Sequence, residues 1–433
     1  VPSRYVVKAP SFDGESNIFY NIRNGIGIKV PKSIAGNFKE LSDIPALTPI
    51  ISKYGFLGSL NEADDLHKEY IRKKQHNPFH LIILPHQNCN FRCVYCYERF
   101  DKNKMSPSIE QALIQLAENR LKSKRHKVFS VSWFGGEPLL APDVIERLSK
   151  KFIQLSNSYD VKYIAGITTN GYELNTKNIE MLINNGVKHF QITVDGTMEC
   201  HDHQRIMIGG QPTYNRIISN MIDLSKREEN FKVIIRMNVG PDNLKYVDDH
   251  IRNMKELFGQ DKRFVLYFHN IGHWGGTGDS NVKICSENMT IKLLNLTLDY
   301  EMNADSEAIR ISPDSTCYAA SENSFVVGVD GMVYKCTVAL YDNRNHVGML
   351  KDNGELELDE VKMNLWTQSG IEDNGCKECF FAPSCHGDSC PLVRIEKRIR
   401  PCPDQKKKIK DYITLMDRQG SNFIKIKRKE VNV

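Results

Sequence analysis

The chain of 433 residues contains no apolar run of about eighteen residues, the length a membrane-crossing helix needs. Its opening stretch, VPSRYVVKAP, has no apolar signal-peptide core, so export is not expected and a cytoplasmic location is. The first residue is valine, so the encoded start is expected to lie upstream or to have been processed. A phosphate loop is also missing. The glycine-rich GHWGGTGD (272–279) lacks the closing Lys-Ser/Thr and reads instead as a loop over a site, with His269, His273 and Trp274 as candidate substrate contacts. The net charge of +5 is concentrated in KKKIK (406–410) and KIKRK (425–429), yet no nucleic-acid motif accompanies it. These runs read as a solvated helix and a frayed terminus; attraction to an acidic peptide or to nucleic acid is the alternative. Neither a membrane nor a nucleic-acid partner is expected.

What is present supports a folded chain of two or three domains, since 433 residues exceed one average domain and 40% are hydrophobic. Residues 1–76 contain three short strand-like runs, RYVVKA, NIFYNI and GIGIKV, with Asn24-Gly25 as a hairpin turn, followed by helical stretches. Strands followed by helices suit a winged-helix-like module. Residues 77–308 alternate apolar runs with amphipathic helices six times: HLIIL, VFSVSWF, VKYIAGITT, VKHFQITV, FKVIIRMNV and RFVLYFHN. One intervening helix starts at Ser106-Pro107, a capping residue followed by proline at the first helical position. Repeated βα units imply a parallel sheet with helices outside, and six units predict a partial, open (β/α)6 barrel of the TIM type, in the α/β class. Residues 309–416 are loop-rich and cysteine-dense, and 417–433 read as a mobile basic tail.

Twelve cysteines in a cytosolic chain of this size favour metal binding over disulfides. The stretch CNFRCVYCY holds three of them, Cys89, Cys93 and Cys96, directly after the first barrel strand. Four thiolates would close a structural zinc site. A [4Fe–4S] cube takes one ligand per iron, so three cysteines leave one iron open for another molecule. Zinc with a distant fourth ligand, or unrelated buried thiols, are the plainer readings. The next three strands end in WFGGEP (133–138), TTNG (168–171) and VDGT (194–197), the last followed by HDHQR (201–205). Parallel barrels bind ligands at the C-terminal ends of their strands. Taken singly, Asn170-Gly171 and Asp195-Gly196 are ordinary turn dipeptides; taken together, the motifs mark one rim.

These residues resemble the radical S-adenosylmethionine (radical SAM) enzymes, whose CxxxCxΦC and GGE motifs match CNFRCVYC and Gly135-Gly136-Glu137. The resemblance covers roughly residues 78–402. It implies that Cys89, Cys93 and Cys96 hold the catalytic [4Fe–4S] cluster and that S-adenosyl-L-methionine binds its open iron. It also implies that Gly135, Gly136 and Glu137 receive the methionine amine, that Tyr95 lies by the adenine, and that Thr168, Thr169 and Asn170 touch ribose or carboxylate. Arg205 and Arg236 are candidates for carboxylate pairing; a structural salt bridge is the alternative for either.

The later cysteines run Cys317, Cys336, Cys376-x2-Cys379-x5-Cys385-x4-Cys390 and Cys402. A zinc ribbon is the plain reading of such pairs, but seven cysteines do not divide into four-ligand sites. The pattern resembles the SPASM extension of peptide-modifying radical SAM enzymes, with one residue more than usual before Cys390. That implies two auxiliary [4Fe–4S] clusters, one on Cys376, Cys379, Cys385 and Cys402 and one on Cys317, Cys336 and Cys390. The latter's free iron would suit a substrate thiolate, with Cys285 as an alternative fourth ligand; Cys200 and Cys285 otherwise read as ordinary thiols. Thr337 stands where sulfatase-maturing members carry an aspartate base, which argues against that activity. The N-terminal module resembles the leader-recognition element of peptide maturases, whose sheet edge takes up an extended segment; a purely structural module is the alternative. The resemblance therefore implies an oxidoreductase that uses a 5′-deoxyadenosyl radical to install thioether cross-links in a ribosomally made, cysteine-containing precursor peptide with a leader. A flavodoxin or ferredoxin would supply electrons. Carbon–carbon cross-linking, epimerisation, or a non-catalytic electron-transfer module are the competing readings.

Overall fold

The structure, a computed structural model, describes residues 2–74, 78–275, 282–370 and 373–427. The chain forms two compact units that are not consecutive in sequence. One comprises Val1–Gln75, Ser306–Ser321 and Leu365–Val433; the other comprises His76–Asp305 and Glu322–Asn364.

The first unit begins with an antiparallel sheet of β1 (Val6–Pro10), β2 (Ser16–Asn21) and β3 (Ile26–Pro31). Gly25 takes φ 72° between β2 and β3, a backbone shape that glycine adopts without a Cβ penalty. Helices follow at Phe38–Ser42, Thr48–Lys53 and Glu62–Lys74. The last carries Glu62, Asp64 and Asp65 in its first turn and Arg72, Lys73 and Lys74 in its last, as the helix dipole favours. The basic tail departs from the sequence reading. Ile424–Lys425 pairs in parallel with β3 as a fourth strand, and Ile426 is buried with Phe19, Ile28, Val30 and Phe56. The chain is therefore ordered through Lys427. The cause is an Ile-Lys-Ile-Lys alternation, which gives this segment one apolar and one charged face. Residues 428–433 lie outside the described set.

The second unit is a ten-stranded sheet. Its parallel part contains β4 (Phe79–His86), β6 (Val128–Gly135), β7 (Lys162–Thr169), β8 (Val187–Thr193), β10 (Lys232–Val239) and β11 (Phe264–Asn270), neighbours in chain order. The short strands β5 (Phe91–Cys93) and β9 (Arg205–Met207) pair apart from this sheet. Helices Pro107–Lys122, Pro142–Ser158, Thr176–Asn184, Tyr214–Ser225 and Val247–Phe258 connect the strands. The six strands anticipated from the apolar runs are all present, and the sheet is an open partial barrel.

The region after residue 309 is less loop-like than its sequence suggests. β12 (Ser324–Val327) pairs in parallel with β4, and β13 (Met332–Tyr334), β14 (His346–Leu350) and β15 (Leu356–Leu358) extend the sheet as an antiparallel meander. Residues 322–364 thus belong to the barrel unit, whereas 365–427 group with the N-terminal strands. A pairing between strands some 240 residues apart has no local sequence signal, which is why a separate domain over 309–416 was the natural expectation. Among the described residues no helix is long and apolar enough to cross a membrane.

Candidate active site

The cysteine loop is placed by backbone contacts at the end of the first two barrel strands. The register of β4 against β6 shifts between Ile83 and His86, which turns the chain off the sheet. Gly135 has φ 123°, and a Cβ there would run into the His86 carbonyl oxygen. A Cβ on Gly136 would lie 2.6 Å from the carbonyl carbon of Asn88 and 3.0 Å from the Gln87 oxygen. The missing side chains let Gly136 N donate to His86 O at 3.2 Å and Glu137 N to Asn88 O at 3.0 Å. Beyond Asn90 the loop becomes β5, paired antiparallel with β9 so that Cys93 faces Arg205. Val94 N donates to Gln204 O and Ile208 N to Asn90 O, both at 3.0 Å.

A cavity of about 290 Å³ opens at this rim. Cys89, Cys93 and Cys96 line it together with Tyr95, Gly135, Gly136, Thr168, Thr169, Asn170, Arg205 and Arg236. Of the sequence candidates, these eleven are brought together. Glu137 is not at the surface of the cavity. It is fully buried, and its carboxylate accepts from Leu139 N at 2.9 Å, the Thr169 hydroxyl at 2.7 Å and Asn170 N at 2.7 Å. It joins the ends of β6 and β7. His269 and Trp274 also line the cavity, and His273 does not. Part of the 272–279 loop lies outside the described residues.

The thiols sit where a cluster would need them. Burial pushes all three up, Cys96 to about 12, and all three line the one cavity. Such thiols ionise in exchange for a bound metal centre. Donors already point at Cys89 Sγ: Phe91 N at 3.3 Å and Asn170 Nδ2 at 3.7 Å. Buried Arg205 acts in the opposite direction to burial on Cys93, favouring its thiolate. Among the described residues no three His, Cys, Asp or Glu side chains close on a single metal ion. Arg205 Nε is buried at the cavity wall without a hydrogen-bond partner, as a site that receives a polar ligand requires.

Sequence reasoning missed three residues here. Asn238 reads as part of an apolar strand, yet its amide donates to the Tyr95 hydroxyl at 2.9 Å. Asp195 reads as a turn residue but is fully buried beneath Tyr95. Glu98 lines the cavity with Oε1 unpartnered, and burial raises it to about 7; only its closeness to the cysteine motif hinted at it. Burial holds His269 down to about 3, so its imidazole is neutral.

In the first unit Cys376, Cys379, Cys385 and Cys402 gather. Burial raises Cys376 and Cys385, the latter to about 11; Cys376 feels Cys379 and Cys402, and Cys385 feels the other three thiols of the set. Phe381 N donates to Cys379 Sγ at 3.3 Å and Lys406 Nζ to Cys402 Sγ at 3.3 Å. This donor set fits a four-cysteine cluster. Cys317 and Cys390 belong to the first unit and Cys336 to the second.

Comparison with known proteins gives the same reading. Residues 83–254 match the Radical SAM superfamily. The cysteine-type anaerobic sulfatase-maturating enzyme of Clostridium novyi is 24% identical over 329 residues, 70% of this chain and 86% of that one. The radical SAM cyclopropyl synthase TigE of Paramaledivibacter caminithermalis is 22% identical over 458 residues, 92% of this chain and 90% of that one. Streptococcus suis SuiB bound to S-adenosylmethionine shares the fold with a TM-score of 0.54 at 15% identity, over 92% of this chain and 97% of that one. Residues 83–254 form a radical SAM domain, and over most of its length the chain is similar to the two relatives named above.

Proposed function

We propose that this enzyme is a maturase that installs thioether cross-links, cysteine sulfur to carbon, in a ribosomally synthesised peptide. The observation that carries the reading is the make-up of one cavity. The cysteine triplet and Gly135–Gly136 line it, and so do Phe100, Trp274, Thr337 and Val338 from outside the cofactor motifs. That wall offers apolar and hydroxyl contacts suited to a side chain of a second molecule. When bound, the cluster and S-adenosylmethionine supply the radical chemistry that removes a hydrogen atom from substrate. The chain's own residues hold the cysteine loop and would orient the cofactor's polar end toward Arg205 and Asn170, which line the same cavity. Thr337 offers a hydroxyl and no carboxylate, which turns the reading away from sulfatase maturation. TigE and SuiB support a peptide substrate, SuiB having been solved with its precursor peptide SuiA. Two auxiliary [4Fe–4S] clusters, a flavodoxin- or ferredoxin-type electron donor, a leader on the peptide and a cytoplasmic setting complete the proposal; the Cys317, Cys336 and Cys390 cluster rests on the sequence alone.

Forming one C–S bond from one C–H and one S–H removes two hydrogen atoms from the peptide: one would pass whole to the 5′-deoxyadenosyl radical, and the other would leave as the thiol proton and an electron taken up by an auxiliary cluster. Anaerobic co-expression with a short cysteine-containing peptide encoded beside the gene, followed by intact mass, tests this. A loss of two hydrogens per event with cysteines that no longer alkylate supports the thioether. A loss of hydrogens with free thiols overturns it in favour of a carbon–carbon link. No mass change alongside deuterium uptake from solvent points to epimerisation.

A further inference from the structure

Apart from Arg205, the stretch VDGT followed by HDHQR has no role in the reading above, yet its side chains converge on the cysteine loop. Asp195 lies fully buried just beyond β8. One carboxylate oxygen accepts Asn238 N at 2.7 Å, and the other accepts the Tyr95 hydroxyl. That same hydroxyl accepts Arg205 Nη1 at 2.7 Å and Asn238 Nδ2 at 2.9 Å. A phenol has one proton to give and two lone pairs, so the bonding capacity of Tyr95 is filled. Its hydroxyl is a strut rather than a hand held out to a ligand. Asp195 N donates to His201 Nδ1 at 3.1 Å, which fixes the aspartate from behind. Arg205 Nη1 stands 3.9 Å from Asp195, and its guanidinium lies 5.6 Å from the centre of the Phe91 ring. The backbone of residues 204–208 meanwhile pairs with the loop from Asn90 to Val94. Asp202, in the same motif, does something else: it accepts Thr213 N and Tyr214 N at 2.8 Å and so holds the start of the helix Tyr214–Ser225.

We propose that Asp195 is a positioning residue for the iron–sulfur site, fixing the turn between Cys93 and Cys96 through the Tyr95 hydroxyl, and that Arg205 sets the field at Cys93. The inference rests on Cys89, Cys93 and Cys96 as the cluster ligands. It reassigns Tyr95 from an adenine contact to a tether. A buried, fully satisfied polar network of this kind is strong while complete and costly when one member is removed. Arg205 is buried opposite Cys93, and a fixed positive charge there favours the more negative, reduced state of a bound cluster.

The test uses the full chain, anaerobically reconstituted with iron and sulfide. The readout is the electron paramagnetic resonance signal of the reduced protein that changes on adding S-adenosylmethionine, since the cofactor perturbs only the cluster whose open iron it binds. Asp195→Asn and Tyr95→Phe are expected to keep the iron content yet to reduce that responsive signal at least tenfold and broaden it, since one lost hydrogen bond to a charged group supplies about that factor and Tyr95→Phe removes three bonds. Arg205→Gln is expected to lower the midpoint potential of the responsive cluster. Asp202→Ala is expected to lower the melting temperature and leave the signal shape alone, which separates positioning from general loss of stability. If Asp195→Asn fails to fold, Tyr95→Phe decides, because it keeps the ring. Unchanged signals in Tyr95→Phe, or an unchanged or raised potential in Arg205→Gln, would overturn the corresponding half of the proposal. A Cys93→Ala chain that retains the full responsive signal would show that the ligand set itself is wrong, and with it the inference.

Discussion

Gly136 stands so close to Asn88 that a Cβ on it would lie 2.6 Å from the Asn88 carbonyl carbon. The neighbour is backbone, which cannot rotate away, and it belongs to the segment that delivers Cys89. Gly136→Ala must therefore push the cysteine loop off the end of β4. Overpacking of this kind costs about 1–3 kcal/mol, small enough for the barrel to survive. The expected outcome is a folded chain by circular dichroism that binds S-adenosylmethionine at least tenfold more weakly by calorimetry. Wild-type affinity would mean that the loop position is not set at this contact.

Glu137 joins three donors, Leu139 N, the Thr169 hydroxyl and Asn170 N, without reaching the cavity wall. Glu137→Ala leaves these buried donors unpaired, at about 1–3 kcal/mol each before relaxation. Loss of cofactor cleavage in this variant would then say little about contact with the methionine amine. Glu137→Gln keeps an acceptor of the same shape and is expected to recover at least half of the lost stability in urea melts. If Gln restores stability and cleavage stays abolished, the carboxylate charge matters to the cofactor; if both return together, its role is to brace the β6 and β7 ends.

The contrast between these glycines and their surroundings shows how far the sequence could be read. The six barrel strands were legible because each is an apolar run between amphipathic helices, and Gly135-Gly136 because a paired glycine at a strand end marks close backbone approach. The rim motifs gave the cavity by position alone. Two features had no local signal. The pairing of Ser324–Val327 with β4 depends on a meeting of distant segments. The partners of Tyr95 are Asp195, Arg205 and Asn238, 100 to 143 residues away along the chain, so a tyrosine inside a cysteine motif looked like a ligand contact. One signal was present and overlooked: the alternation in FIKIK, masked by its charge.

That alternation makes a stability prediction. Ile426 is buried among Phe19, Ile28, Val30 and Phe56, and Phe423 packs on Gly27 and Tyr20. Ile426→Ala should cost about 2–5 kcal/mol, the range for truncating a buried aliphatic side chain. The loss should show as faster hydrogen exchange at Ile426, whose amide donates to Lys29 O in the pairing with β3. Exchange no faster than wild type would mean that the C-terminal strand is not held in solution.

Acid stability follows from two buried histidines of the barrel unit. Burial lowers both His80 and His250 from 6.5 to about 4. Between these values the unfolded chain binds protons that the folded chain refuses. Stability is therefore fully present above about 6.5 and falls as pH drops through the window toward about 4, by up to ~3 kcal/mol for each site. His250 Nδ1 donates to Gly196 O over 3.1 Å, while its Nε2 is buried without a partner, so the ring has nothing to stabilise a second proton. Urea midpoints followed by the fluorescence of the buried Trp133 should fall between pH 7.5 and pH 5. In His250→Leu the fall should be visibly shallower. An equal slope in the variant would show that this histidine does not titrate between the folded and unfolded states.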